Sequence, residues 1–337
     1  MHRLVLSGLV LSLLAGCSAP PGEVVASASQ AVIGGTVDDV DRNVVAVFRF
    51  PDGGSSGMFC SGALVGPNLV LTAAHCVGDV TGPKTGTQCE DSDAGKASAL
   101  GAVGAVSRFW VTTTTDGYDS AAHSYEVLDI FVPEKASTAL CGNDVALVEL
   151  AEPVDAKPLS PRLDGPPRAG DHFTAIGYGY DGADGVDGTR RSRSGLLVSK
   201  VGEVRDWTAN LGPCGGDSGS PAIAEDGAII GVMSRGQPKV CTNMTYNRVD
   251  GFADWMRTIA IGVAARAKTP PPSWAKPPSE PAPDSGVDVP PSPPPAASCA
   301  LGVGSSTPGS WIAVGVGAFA FSALRRRNRQ GATRARC

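Results

Sequence analysis

Residues 214–221, with the sequence CGGDSGSP, place a serine where it could act as a nucleophile. Glycines flank the pair formed by Asp217 and Ser218, so the backbone can turn tightly and expose the hydroxyl beside free N–H groups. A serine hydroxyl is a weak nucleophile at neutral pH and needs a positioned base. His75 ends one apolar run and is a candidate base, and Asp144 heads another apolar run and could orient it. These residues predict nucleophilic catalysis.

The order of the three residues along the chain is informative. His75, Asp144 and Ser218 follow the order of chymotrypsin, which differs from the order in the other folds that carry this triad. From residue 32 to residue 268 the chain resembles the trypsin/chymotrypsin family of serine peptidases. Four motifs carry the resemblance: VIGG at 32–35, TAAHC at 72–76, NDVAL at 143–147 and GDSGSP at 216–221. A single histidine is more often structural than catalytic, but all three roles are filled here, and this favours catalysis.

The pattern of apolar residues predicts many short strands. Runs rich in Val, Ile, Leu and Thr are separated by Gly, Pro, Asn and Asp. They cover residues 44–50, 64–72, 109–115, 145–150, 173–178, 196–204 and 229–234. We therefore expect an all-β fold, and the resemblance implies two packed antiparallel six-stranded β-barrels with the active site in the cleft between them. Residues 252–267 have helical spacing and predict a C-terminal helix.

Charge limits the partners of the protein. The 337-residue chain is 18% charged and has a formal net charge of −5. Because this balance offers no basic surface, we expect no nucleic-acid partner. We expect a monomer that acts on polypeptide substrates.

The N-terminus reads as a targeting segment. His2 and Arg3 precede the apolar run 4–14, which is too short to span a bilayer and has the build of a secretory signal. The run ends in LAGC, which resembles a bacterial lipoprotein signal with Cys17 as the lipidated residue. A plain signal peptide cut near Ala19 is the alternative. We assign residues 1–17 to the signal and 18–31 to a propeptide.

The C-terminal part differs sharply in composition. Residues 269–298 are rich in proline and predict an extended linker. Residues 299–337 contain Cys299, the apolar run 311–324 and a following arginine cluster. This combination resembles the sorting segment of myxobacterial surface proteins, and an ordinary weak membrane anchor is the alternative. Both interpretations predict a secreted bacterial protein held at the outer surface by a C-terminal membrane anchor.

The export signal places the nine cysteines in an oxidising compartment. The resemblance implies a bridge between Cys60 and Cys76, beside the base, and another between Cys214 and Cys241, beside the nucleophile. Two further cysteines of the domain could form a third bridge, although the sequence cannot prove it; they are Cys89 and Cys141.

The family resemblance also assigns roles around the nucleophile. The backbone N–H groups of Gly216 and Ser218 would form the oxyanion hole. Asp217 would pair with a new N-terminal amine at Val32, released by an activating protease that cuts after Ala31. A cut after alanine implies an activator that is not trypsin-like.

The residues that resemble the specificity pocket lack an acid. In the family, an aspartate six positions before the nucleophile selects Lys or Arg, and here that position is Gly212. The other pocket residues expected from the motifs are Pro213, Ser234, Arg235 and Gly236. A basic substrate side chain would leave water without a partner, which is costly. We therefore expect cleavage after small or medium apolar residues and not after Lys or Arg.

No metal or other cofactor is expected. Two acidic stretches, one at Glu90, Asp91 and Asp93 and one at Asp181, Asp184 and Asp187, lack the ligand spacing of a known site. The following arginines, Arg190, Arg191 and Arg193, predict an exposed loop open to proteolysis.

The sequence predicts a secreted, surface-anchored serine endopeptidase that works through an acyl-enzyme. Two alternatives stay open. One is a non-catalytic surface module that keeps the fold for binding or adhesion. The other is a regulatory processing peptidase with a single partner.

Overall fold

The computed structural model describes residues 32, 34–50, 57–82, 98–119, 124–179, 188–237 and 241–276. Within these ranges the chain is mostly β-strand, with two α-helices and a few short 3-10 turns. The strands are β1 (Thr36–Val37), β2 (Val44–Arg49), β3 (Met58–Gly66), β4 (Leu69–Thr72), β5 (Gly78–Thr81), β6 (Ala99–Val103), β7 (Phe109–Thr112), β8 (Ser124–Phe131), β9 (Ala146–Leu150), β10 (Ser160–Pro161), β11 (His172–Gly177), β12 (Arg191–Val201), β13 (Asp206–Leu211), β14 (Pro221–Ala224), β15 (Ala228–Gln237) and β16 (Thr242–Arg248). The helices are α1 (Ala74–Val77) and α2 (Ala253–Arg266).

Two antiparallel barrels account for most of these strands. The first is closed in the order β2-β3-β4-β9-β8-β7. The second runs β12-β11-β14-β15-β16-β13, and pairing of β12 with β13 closes it, while β1 and β10 add to its edges. The predicted all-β fold of two six-stranded barrels with a C-terminal helix is thereby confirmed.

The first apolar core fills the first barrel and reaches Ile229 and Val232 of β15, and the second barrel has a further core. The first core continues under α2, so that Met256 and Val263 of the helix pack with the strands of the first barrel. In the second core the rings of Trp207 and Tyr246 stack with centroids 4.2 Å apart, and Phe173 meets both rings edge-on. Aromatic pairs of this kind add to the stabilisation that comes from buried area.

Most predicted strands correspond to observed ones, but one run is divided. Residues 64–72 were expected to form a single strand, whereas β3 and β4 are separate antiparallel strands. Pro67 and Asn68 lie in the turn between them. Proline cannot donate to the strand ladder and suits a turn, so it ends the first strand within the apolar run.

The expectation of an exposed loop at Arg190 is wrong. The Arg190 side chain is fully buried between the barrels. Its guanidinium donates to the carbonyl oxygens of Asp38 (3.1 Å) and Thr113 (2.9 Å) and to the hydroxyl of Tyr178 (2.8 Å). These bonds offset part of the cost of burying the cation, while its Nη2 atom has no hydrogen-bond partner among the described residues. The next residue, Arg191, already begins β12.

The packed region continues beyond α2. Trp274 donates its indole N–H to the carbonyl of Val65 in β3 at 2.8 Å, and Ala275 is fully buried. These contacts lie past residue 268, where the composition begins to change. Among the described helices, neither is long and apolar enough to cross a membrane.

Several sequence predictions fall outside the described residues. They concern the signal segment with Cys17, the propeptide up to Ala31, the two acidic stretches, and residues 277–337. These assignments stay predictions.

Candidate active site

The pairing of β4 with β9 brings the candidate base to the candidate acid. The two strands are antiparallel, with Thr72 opposite Ala146. The chain that leaves β4 therefore lies beside the chain that enters β9. His75, in α1 just after β4, and Asp144, two residues before β9, meet at this point.

Asp144 is held by three donors. Its Oδ2 atom lies 2.7 Å from Nδ1 of His75 and 2.6 Å from the hydroxyl of Ser234, which donates to it. Its Oδ1 atom accepts the backbone N–H of His75 at 2.9 Å. The Asp144 side chain has no solvent exposure, and 14% of the His75 side chain is exposed. The geometry fixes the ring of His75 with Nδ1 directed at the carboxylate.

The pair shifts both pKa values in opposite directions. Burial alone would lower the pKa of His75, but the charge of Asp144 and the hydrogen bond to it raise that pKa above its ordinary value. Burial alone would raise the pKa of Asp144, but the His75 charge and the bonds from His75 and Ser234 lower it. An ionised Asp144 keeps the proton of a neutral His75 on Nδ1, which leaves Nε2 free to accept a proton.

The turn around Ser218 depends on glycine. Gly216 and Gly219 have φ angles of +88° and +84°, a region that side chains with a Cβ disfavour. A Cβ on Gly219 would also collide with the carbonyl oxygen of Ser61 and the hydroxyl of Thr72. The Ser218 carbonyl accepts the backbone N–H of Ser61 in β3 at 2.7 Å. The turn is thus docked on β3 and on the end of β4, directly before α1.

A disulfide holds the same region together. Cys60 in β3 and Cys76 in α1 are bonded, with Cα atoms 6.1 Å apart. Cys214, before the nucleophile turn, is bonded to Cys241. Cys141 is also disulfide-bonded, whereas Cys89 lies outside the described residues, so the pairing of these two stays a prediction.

Asp217 is the second buried carboxylate of the site. It is fully buried and accepts backbone N–H groups from Gly179 and Cys214, each at 2.8 Å. The backbone nitrogen of Val32 lies 3.3 Å from Oδ2 of Asp217. The Val32 side chain is itself buried in the core of the second barrel. The structure therefore brings together the two residues that the sequence linked to activation.

The five pocket residues expected from the sequence occupy different surroundings. Gly212 and Pro213 are buried before the nucleophile turn. Ser234 donates its hydroxyl to the carboxylate of Asp144, so its side chain holds the candidate acid and does not face a pocket. Arg235 pairs with Asp206 at 3.1 Å. Gly236 lies against Met244, because a Cβ on this glycine would collide with the sulfur and terminal methyl of that side chain.

Two further buried residues belong to this region, and the contact of Asn247 was not predicted from the sequence. Met244, 1% exposed, fills the space beneath Gly236. Asn247, fully buried, accepts the backbone N–H of Asp144 through Oδ1 at 3.2 Å. Both lie in β16, in a stretch without a glycine, histidine or carboxylate to mark it.

Two known peptidases are similar to this chain over more than half of its length. Kallikrein 1-related peptidase b24 of Mus musculus is 27% identical over 241 residues, covering 63% of this chain and 82% of that relative. Chymotrypsin-C of Bos taurus is 26% identical over 230 residues, covering 58% of this chain and 76% of the relative.

Two solved structures are also similar. The scabies mite inactivated protease paralogue S-I1 has a TM-score of 0.48 and 21% identity, covering 67% of this chain and 99% of its own. The atomic-resolution structure of HBP has a TM-score of 0.49 and 18% identity, covering 71% and 98%.

A family model bears directly on the whole barrel region. The model described as Trypsin matches residues 33–256, which is more than half of the chain and includes all three candidate catalytic residues. Proteins of this family act on polypeptide substrates. The chain belongs to the trypsin family and is a serine endopeptidase.

Proposed function

We propose that this endopeptidase hydrolyses peptide bonds through Ser218, His75 and Asp144, after small or medium apolar residues. The proposal rests on two hydrogen bonds from His75 to Asp144, one from the backbone N–H and one at Nδ1. They lie next to the turn of Ser218, which packs on β3. A positioned base with a fixed tautomer is what a serine nucleophile needs.

The proposed reaction has two stages. Ser218 Oγ attacks the scissile carbonyl carbon while Nε2 of His75 takes the hydroxyl proton. The carbon–nitrogen bond then breaks, His75 gives the proton to the leaving amine, and an acyl-enzyme remains. Water, deprotonated by His75, attacks the acyl carbon, and Ser218 leaves with the proton. Asp144 stays ionised and stabilises the imidazolium in both stages.

The oxyanion of each tetrahedral intermediate would be bound by the N–H groups of Gly216 and Ser218. The positive φ of Gly216 supports this role, because it lets the peptide plane turn its N–H toward the nucleophile side. Loss of one oxyanion donor costs about 3–4 kcal/mol in an enzyme of this type.

The preference for small or medium apolar residues rests on the surroundings of the pocket. A Cβ on Gly212 would lie 3.5 Å from Leu196 Cδ1 and from the Tyr246 hydroxyl, so the floor is neutral. Burial and the charge of Asp217 raise the pKa of Tyr246 well above its usual range, which keeps that hydroxyl uncharged. Met244 takes up space beneath Gly236. A Lys or Arg side chain would meet neither room nor a counter-charge.

Activation would follow a cut after Ala31. The freed amine of Val32 would replace the backbone N–H that now lies 3.3 Å from Asp217 and would add a positive charge. A buried carboxylate gains strongly from such a partner. The new ion pair would order the residue before Ser218 and thereby the oxyanion hole.

Secretion and surface anchoring complete the proposal. The disulfides Cys60–Cys76 and Cys214–Cys241 suit an oxidising compartment. If the cut occurs after Ala31, a lipid on Cys17 is lost from the mature enzyme. Residues 299–337 would then hold the enzyme at the membrane, with the part of the 269–298 linker beyond residue 276 as a spacer, since Trp274 and Ala275 pack on the first barrel.

Replacement of the nucleophile tests the reaction. Ser218→Ala should reduce peptide hydrolysis by about 10⁶-fold, because triad members act as a unit. Ser220→Ala is the matched control, since this neighbouring serine is fully buried in the same turn. A fluorophosphonate probe should label Ser218 in the parent and in Ser220→Ala, as read by mass spectrometry of the labelled peptide. It should not label Ser218→Ala. Parental activity in Ser218→Ala would contradict the mechanism, and an unlabelled parent would favour a binding module.

The pH profile tests the base. The neutral form of His75 is the active form, so kcat/KM should rise with pH through its pKa. Because Asp144 raises that pKa, the midpoint of the acid limb should lie above the ordinary value of about 6.5. A profile measured on one peptide substrate between pH 5 and 9 is sufficient. A rate that is flat from mildly acid to neutral pH would exclude His75 as the base.

N-terminal sequencing tests activation. The active enzyme should begin Val-Ile-Gly-Gly-Thr. Asp217→Asn keeps the side-chain size but removes the charge, and kcat/KM should fall about 100-fold or more, since breaking a buried pair costs about 3–5 kcal/mol. Asp226→Asn, which alters a carboxylate that is 59% exposed, should leave the rate unchanged. Full activity with residues 18–31 still attached would refute the proposed activation by cleavage after Ala31. It would not contradict the proposed triad.

Substitution of Met244 tests the pocket. Met244→Ala should raise kcat/KM for substrates with Leu or Phe at the cleaved residue, relative to Ala, by about tenfold or more, because one methylene changes discrimination about 10- to 200-fold. Met256→Ala removes an equally buried methionine from α2 and serves as control. If Met244→Ala cleaves a peptide library with the same preference at the cleaved residue as the parent, Met244 does not shape the pocket.

A further inference from the structure

Asn247 contacts Asp144, the aspartate of the proposed triad, from the opposite barrel. Its side chain is fully buried, and its Oδ1 atom accepts the backbone N–H of Asp144 at 3.2 Å. The orientation of the amide follows from the chemistry, because only the oxygen of an asparagine side chain can accept a hydrogen bond from an N–H. No other side-chain atom accepts this N–H among the described residues.

The topology makes this contact a bond between the barrels. Asp144 lies two residues before β9 of the first barrel, whereas Asn247 lies in β16 of the second. In the β15–β16 pair Asn247 is opposite Val232, two residues before Ser234. Ser234 donates to the Asp144 carboxylate and Asn247 accepts from its backbone. Two neighbouring strands of the second barrel therefore bind Asp144, β15 through its side chain and β16 through its main chain.

A merely structural asparagine would be expected to satisfy its whole amide. The Nδ2 atom of Asn247 has no hydrogen-bond partner among the described residues. A buried donor without a partner is destabilising, and an apolar side chain would avoid that cost. The amide atom that makes a hydrogen bond is Oδ1, and its partner is the backbone N–H of Asp144.

We propose that Asn247 is a positioning residue for catalysis, which fixes Asp144 so that its carboxylate meets His75. The inference rests on the triad proposed above and concerns a residue that touches neither substrate nor reacting atoms. Loss of the bond would loosen Asp144 and weaken its hold on the His75 ring. Both the turnover rate and the protonation of His75 would then change.

The neighbouring charges are already paired among themselves. Asp206, opposite Asn247 on β13, pairs with Arg235 of β15 at 3.1 Å. Arg248 of β16 pairs with Asp250, and Arg205 donates to the side chain of Asn143 at 2.7 Å. Asn247 contacts the backbone N–H of Asp144, the residue whose carboxylate is bonded to His75. A charge placed at position 247 would therefore act first on the Asp144–His75 pair.

Two substitutions should move the pH profile in opposite directions. Asn247→Ala removes the acceptor, and kcat should fall about 3- to 10-fold with KM unchanged, as expected for one net hydrogen bond. Its acid limb should move to lower pH, because a loosened Asp144 raises the pKa of His75 less. Asn247→Asp keeps an acceptor oxygen and adds a negative charge, so its acid limb should move to higher pH.

The matched control is Asn68→Ala. Asn68 is 6% exposed and makes one side-chain hydrogen bond to a backbone group, the carbonyl of Leu150 at 3.2 Å. It lies at the opposite end of β4 from α1, so its loss should lower thermal stability and leave the pH profile unchanged. All rates are measured on the activated full-length enzyme and divided by the amount of Ser218 that a fluorophosphonate probe labels.

The outcomes separate this inference from the triad. The role of Asn247 is overturned if the acid limb of both Asn247 variants stays at the parental pH and their kcat is no lower than that of Asn68→Ala. That result would leave the proposed triad standing. A parental enzyme that the probe does not label at Ser218 would overturn the triad itself. Opposite shifts in the two variants, absent in Asn68→Ala, would establish the positioning role.

Discussion

The fully buried carboxylate of Asp144 constrains the rest of the molecule. A buried charge is tolerated only when donors replace the water that it has lost. These donors are the backbone and ring of His75 and the hydroxyl of Ser234, which come from both barrels. The barrels must therefore close against each other at this point. The same contacts fix the tautomer of the base, so what satisfies the buried charge also prepares the chemistry.

A second buried carboxylate lies next to Ser218 and has different surroundings. Asp217 accepts N–H groups from Gly179 and Cys214, and the nitrogen of Val32 is near it. These three nitrogens belong to neutral backbone groups, whereas Asp144 faces a titratable ring. Addition of a charged amine at Val32 would change the balance at Asp217 far more than at Asp144. This asymmetry explains why activation would act through the residue before Ser218 and leave the Asp144–His75 pair as it is.

The sequence predicted those parts of the fold and site that depend on local chemistry. The barrel strands follow from β-branched runs and glycine breaks, and the residues His75, Asp144 and Ser218 stand in distinctive motifs. Residues whose role is set by distant partners were not predictable. Arg190 looked exposed because arginine usually is, yet its acceptors at Asp38 and Thr113 lie 152 and 77 residues away. Ser234 and Asn247 likewise gain their roles only when the second barrel meets Asp144.

Apolar packing and polar contacts carry different tasks in this molecule. Apolar side chains fill each barrel and also meet where the barrels touch, where Val44 and Ala46 of β2 pack with Ile176 of β11. The bonds that cross between them are directional. Arg190 and the Tyr178 hydroxyl reach carbonyls of the first barrel, and burial raises the pKa of Tyr178 to about 12, so it stays a neutral donor. Ser234 and Asn247 make the corresponding contacts at Asp144. Because a hydrogen bond weakens steeply with misalignment, these contacts hold the barrels in one register, and that register places His75 beside the turn of Ser218.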